Sequence, residues 1–235
     1  IEKKQLLARL ESELEDPFFF AHKELDQLFF QEESMQLVPR DLISRISEET
    51  SKTSYSSFEK MLNEDRIDLF FLGDFNEVEI LENLKKFPLT GRKATVNIQY
   101  RQEYSNVLRE GIIRKKLGQS ILEMGYHSAI GYGDDQKMAL LLVNGLLGAF
   151  PHSKLFTQVR EKEGLAYTVS SHLDLFKGFL RLFAGINHQE RNKVRKLMND
   201  QLLAIKNGRF TDVEINQTKE MIRRTMLLSQ DNQDS

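Results

Sequence analysis

The chain has 235 residues, 33 Lys and Arg against 35 Asp and Glu, and a formal net charge of −2. That length can bury a sizeable core as one large or two modest domains, and the interspersed charge leaves no basic block of the kind that tracks a nucleic-acid backbone. The absence of cysteine excludes disulfides and cysteine nucleophiles, and the longest apolar run, residues 138–143, is far shorter than the roughly 20 residues of a membrane-spanning helix.

The first residues, Ile1-Glu-Lys-Lys-Gln5, lack both an initiator methionine and the apolar core of a signal peptide. The sequence therefore reads as a piece of something longer. A cysteine-free composition is compatible with a reducing cytoplasm, the expected location.

Taken in chain order, the first sixty residues predict helices. Leu6, Leu7, Leu10 and Leu14 fall at helical spacing, and Asp16-Pro17 ends that helix. Phe18 to Phe20, Leu25 and Leu28 to Phe30 form a second apolar stretch. Asp41, Leu42 and Ile46, then Phe58, Met61 and Leu62, predict two more helices joined by a Ser/Thr-rich turn at 51–57. Residues 67–73, a compact apolar run ended by Gly73-Asp74, predict a buried strand, followed by a helix over 76–86. Pro88 and Gly91 among polar residues mark a linker at 89–96, dividing a first part at 1–88 from a second at 97–235.

The second part opens with a strand over 119–127. Asp134 can cap a helix to Leu147, apolar almost all round and so expected to be deeply buried. Ser153 can cap the next helix, which Gly164 would end in a left-handed conformation. Strands over 166–176 and 178–187 turn at Lys177-Gly178. A helix over 192–206 ends at Asn207-Gly208, and Thr211-Asp-Val-Glu214 is a capping box for the last one. This order predicts an α+β fold, an antiparallel sheet with helices packed on one face. On the strand from 178, Leu180, Leu182, Ala184 and Ile186 share one face. Phe179, Arg181 and Phe183 share the other, a mixed surface suited to water, a ligand or a second domain.

Residues 151–171 carry the clearest chemistry. Arg160 lies in the last turn of a helix, where a cation suits the dipole, and Tyr167 has the strand parity of Val169, Leu173 and Leu175. Spacing alone therefore favours structural roles for both. A guanidinium and a phenol held together can also donate hydrogen bonds to one peptide carbonyl and to the oxyanion formed from it. Of the five histidines, only His22, followed by Lys-Glu-Leu-Asp26, loosely echoes a helix-borne metal pair. No metal site is expected from them, and His172 reads as a surface or ligand-contact residue. Gly131-Tyr-Gly133-Asp134 reads as a turn and cap, since Asp134 would repel a phosphate.

Leu146-Leu-Gly, Ser153-Lys-Leu-Phe156, Arg160-Glu-Lys, Gly164-Leu-Ala-Tyr167 and Ser170-Ser171 resemble, in order, the second signature of the insulinase (pitrilysin) family of zinc metallopeptidases. Ala149-Phe-Pro151 departs from the glycine-rich wording common there. The family's His-x-x-Glu-His zinc motif occurs nowhere in the sequence. The resemblance implies duplicated α+β domains closing around a peptide. The chain would supply the helices and final strand of the first domain and most of the second. It implies peptide-contacting roles for Arg160 and Tyr167, no cofactor in this chain, and zinc in a missing half or a partner. The expected function is the non-zinc, substrate-contacting part of such a peptidase, inactive alone and working with a zinc-bearing paralogue, most like the bacterial members without a zinc site. Two alternatives stand beside it: the second half of a self-sufficient zinc endopeptidase, and a peptide-binding scaffold. Neither nucleic acid nor membrane is an expected partner.

Overall fold

A computed structural model describes residues 2–87 and 107–230. The helices of the first part follow local signals. Helix α1 (Glu2–Glu15) ends where Asp16 caps α2 (Pro17–Phe29), its carboxylate accepting from the N–H of Phe18 and Phe19 while Pro17 takes the first turn. The short α3 (Glu33–Gln36) and α4 (Pro39–Glu48) follow, and α4 packs back on α1. Helix α5 (Ser51–Glu64) corrects the turn expected at 51–57. Thr50 and Thr53 form a reciprocal capping box, so the Ser/Thr-rich stretch is the start of a helix. Asn76 caps α6 (Glu77–Leu84).

The buried strand expected over 67–73 does not form: residues 66–72 carry no regular secondary structure, and no strand among the described residues pairs with them. Their apolar side chains accordingly face out, Phe70 at 93% exposure and Leu72 at 84%. The expected linker at 89–96 lies outside the described residues.

The second part is built on a three-stranded antiparallel sheet in the order β1 (Ser120–His127), β3 (Phe179–Ile186), β2 (Ala166–Asp174). Gly178, at φ +59°, makes the β2–β3 turn. One sheet face is aliphatic, as the alternation predicts. Leu182, Ala184 and Ile186 pack on Leu147, Leu155, Val159, Val194 and Met198, all fully buried. Each large side chain among them contributes about 1.5–3 kcal/mol of burial free energy.

The covering helices are α7 (Lys137–Asn144), α8 (Arg191–Lys206) and α9 (Asp212–Gln230), with π-helical turns at Gly145–Ala149 and Phe156–Lys162. Helix α7 starts two residues later than a cap at Asp134 would give, and the Asp134 carboxylate instead accepts from Gln136 N–H in the preceding turn. Burial is complete only from Gly145 to Gly148; Met138 is exposed. The Thr211–Glu214 capping box forms as predicted. Among the described residues, no helix is long and apolar enough to cross a membrane.

The mixed face of the sheet is covered from the first part of the chain. Helix α2 lies over β1, with Phe29 and Phe30 against Phe179 and with Phe18 and His22 against Phe183. Polar groups sit at the centre of this contact. Asp26 pairs with the Arg181 guanidinium. Arg181 Nε faces Glu123 Oε2 at 3.6 Å, and Glu123 Oε1 meets His22 Nδ1 at 2.6 Å. The side chains of Glu123, Arg181 and Asp26 are only 8–11% exposed. Buried charges of this kind hold position chiefly because removing one strands the rest.

Two outcomes test this packing. A Cβ added at Gly148 would meet Ser171 N at 2.6 Å and Leu155 Cδ1 at 2.8 Å. Gly148→Ala should therefore lower unfolding free energy by about 1–3 kcal/mol in urea titration; an unchanged midpoint contradicts so tight a contact. Burial raises the Glu123 carboxyl above its ordinary 4.5, outweighing the opposing pull of His22 and Arg181. The folded state therefore holds the proton to higher pH than the unfolded chain, and stability falls as pH rises through that window. Glu123→Gln removes this loss. Its stability relative to the parent should climb as pH rises above 4.5; a flat or falling difference would refute the assignment.

Candidate peptide-contact site

Arg160 and Tyr167 flank one sharp joint. The helix carrying Arg160 opens at Ser153, whose buried hydroxyl accepts from Phe156 N–H, and widens into the π-helical turn of Phe156–Lys162. It closes with Gly164 at φ +64°, the left-handed stop predicted for it, while Leu165 N–H reaches the Val159 carbonyl at 3.0 Å. Strand β2 then begins at Ala166.

The core role that parity gives Tyr167 does not hold. Ala166 pairs with Ile186 and Thr168 with Gly185, so Tyr167 is the extra residue of a β-bulge. Ala166 and Val169 both face the core, and the tyrosine between them is turned outward at 70% exposure. Bulges re-aim side chains in this way. Gly185 provides the room opposite: a Cβ there would lie 3.0 Å from Phe18 Cζ and 3.2 Å from Thr168 Cγ2. A glycine inside an otherwise regular strand was the signal in the sequence that could have flagged the irregularity.

Tyr167 lines an open groove of about 1080 Å³ between α2, the segment 112–119, β1 and the turn before α8. Among the described residues, no hydrogen bond engages its hydroxyl. Arg160 stands outside that lining. It is partly exposed, with its guanidinium 4.6 Å over the Phe156 ring and 3.8 Å from Glu161. Stacking on Phe156 restrains the guanidinium plane and leaves its N–H edge available. Glu123, on the groove wall, also lines a second cavity of about 570 Å³.

The residues present do not suit a zinc ion. Among the described residues, no group of three or more His, Asp or Glu is placed to hold a metal. The loose echo at His22 and Asp26 is taken up by other partners, His22 by Glu123 and Asp26 by Arg181. His152 Nε2 lies 2.8 Å from the buried Thr218 hydroxyl, and the His127 ring packs on Phe29. His172 lies opposite Arg181 in the sheet register; partial burial, then the nearby guanidinium, lower its pKa and favour the neutral ring.

The resembling segments are largely packing elements. Lys154 meets Glu214 at 2.7 Å, tying the Arg160 helix to α9. Ser170 donates to the Gly148 carbonyl, and Ser171 to Asn144. Arg160 and Tyr167 are among the side chains that scaffold leaves accessible. The sequence reading missed the Asp26–Arg181–Glu123–His22 cluster and the groove beside it.

Known proteins place this geometry in context. The sequence profile described as the peptidase M16 inactive domain matches residues 50–222. The chain is 30% identical over 227 residues to the Bacillus subtilis protein named "Probable inactive metalloprotease YmfF", covering 96% of this chain and 53% of that one. It is 27% identical over 118 residues to "Uncharacterized zinc protease YmxG" of the same organism, covering 49% and 29%. The crystal structure of a conserved protein from Enterococcus faecalis V583 superposes with a TM-score of 0.94 at 40% identity, covering 99% of this chain and 55% of that one. A peptidase M16 inactive domain from Pseudomonas fluorescens, at 20% identity, shares the fold with a TM-score of 0.73, covering 96% and 55%. The chain thus spans about half the length of the fullest of these matches. On these grounds it belongs to the peptidase M16 family, the insulinase-type metallopeptidases, and it carries that family's inactive domain.

Proposed function

We propose that this chain is the substrate-contacting, non-zinc part of an M16 peptidase, a non-catalytic subunit that closes around a peptide together with a zinc-bearing paralogue. The observation that carries this reading is the bulge at Tyr167. It turns an unengaged phenol onto an open groove, just past the Gly164 stop of the helix that bears an exposed Arg160. Both groups are donors. A phenol O–H and a guanidinium N–H can bind a peptide carbonyl in the ground state and hold it more tightly as its oxygen gains negative charge. The metal and the general base belong, in this reading, to the partner.

The breadth of the YmfF match supports the non-catalytic form. It spans nearly the whole chain, whereas the relative named a zinc protease matches about half of it. A self-sufficient peptidase with its zinc motif upstream is the second reading, favoured by the part of the relatives' length that this chain does not span.

Reconstitution with a zinc-bearing M16 paralogue from the same organism tests the proposal. Arg160→Ala and Tyr167→Phe should each lower kcat/KM on a fluorogenic peptide by about tenfold or more, in the direction of a lost oxyanion donor, with circular dichroism unchanged. Unchanged cleavage in both variants would reduce the pair to surface residues on a scaffold. Full activity without the paralogue would favour the self-sufficient reading.

A further inference from the structure

The groove beside Tyr167 has a charge pattern that donation to a backbone carbonyl does not require. Arg114 and Lys115, on the segment before β1, and Arg191, the first residue of α8, all line it and are exposed. Among the described residues none of the three has an ion-pair partner; Lys115 Nζ rests 3.2 Å from the centroid of the Phe20 ring. Among the described residues the only acid in the lining is Glu123, committed to His22 and Arg181. The chain carries a net charge of −2, so this cationic wall is a local reversal. Phe20 and Ile112 contribute to an apolar floor, and low-dielectric walls strengthen the field over a groove.

Resting on the peptide-contact reading, we propose that this groove selects extended peptides carrying acidic side chains. An extended chain sends successive side chains to opposite sides. One set can lie on the apolar floor while carboxylates of the other reach Arg114, Lys115 and Arg191, with Tyr167 at the backbone. At about 1080 Å³ the groove meets or exceeds the roughly 300–1,000 Å³ typical of small-molecule sites, which suits a peptide segment.

Fluorescence anisotropy with the full chain tests this. The probes are fluorescein-labelled peptides of about ten residues, one alternating Glu and Val, the other Gln and Val. The acidic peptide should bind about tenfold more tightly, and raising salt should erase most of the difference. Replacing Arg114, Lys115 and Arg191 together by Ala should remove the preference, each contributing about twofold. Replacing the exposed Lys52, Lys85 and Lys206 together should leave it intact. Equal affinity for both peptides overturns the acidic preference and leaves the peptide-contact reading standing. Binding of neither peptide sinks both. Loss of the preference in the Lys52/Lys85/Lys206 variant, or tighter binding of a labelled single-stranded oligonucleotide than of the acidic peptide, overturns the assignment of this groove to acidic peptides.

Discussion

The mixed face of the small sheet has to be covered, and the Asp26–Arg181–Glu123–His22 cluster determines how. Phenylalanines on α2 and β3 supply the apolar area, but apolar contact alone tolerates sliding. A guanidinium and two carboxylates withdrawn from water do not. Each is costly to bury without its partner, so the helix is held at the register where Asp26 meets Arg181 and His22 meets Glu123. Glu123 Oε2 and Arg181 Nε lack a hydrogen bond and face each other just beyond that distance, which fits a cluster whose main contribution is position. With α2 fixed, one wall of the groove is fixed too, because Phe20, Leu25 and Leu28 lie on that helix.

The accessible chemistry of Tyr167 on the opposite wall, and of Arg160 outside the groove, depends on local departures from regular structure. The widened turn at Phe156–Lys162, the left-handed Gly164 and the bulge at Tyr167 follow one another within a dozen residues. Without the extra residue in β2, Tyr167 would face the aliphatic core with Val169. Gly185 links the two walls: its missing side chain gives room both to Thr168 beside the bulge and to Phe18 at the start of α2. The Tyr167 groove is in this way carried on a rigid scaffold of buried aliphatic residues, with the irregular backbone confined to its rim.

What the sequence revealed and what it hid divide along contact distance. Asp16-Pro17, Asn76, Gly164, Gly208 and the Thr211–Glu214 box are short-range devices, and each does in the structure what its chemistry implies. The aliphatic face of β3 was legible because alternation is local. The Ser/Thr-rich stretch at 51–57 was misread because the same residues that favour turns also open helices. Parity misplaced Tyr167 because a single inserted residue reverses every side chain on one side of it. The charge cluster joins residues 101 and 155 positions apart, and no local pattern encodes that pairing. Arg114, Lys115 and Arg191 become one feature only after the fold brings two segments to one groove.

The claim that Tyr167 faces bound peptide can be tested without a partner. With p-benzoylphenylalanine in place of Tyr167, irradiation in the presence of the acidic peptide should give a covalent adduct that mass spectrometry maps to residue 167. The same replacement at the exposed Val213 on α9 should give none. Peptide that binds with undiminished affinity yet forms no adduct at residue 167, or forms equal amounts at both positions, would contradict the account.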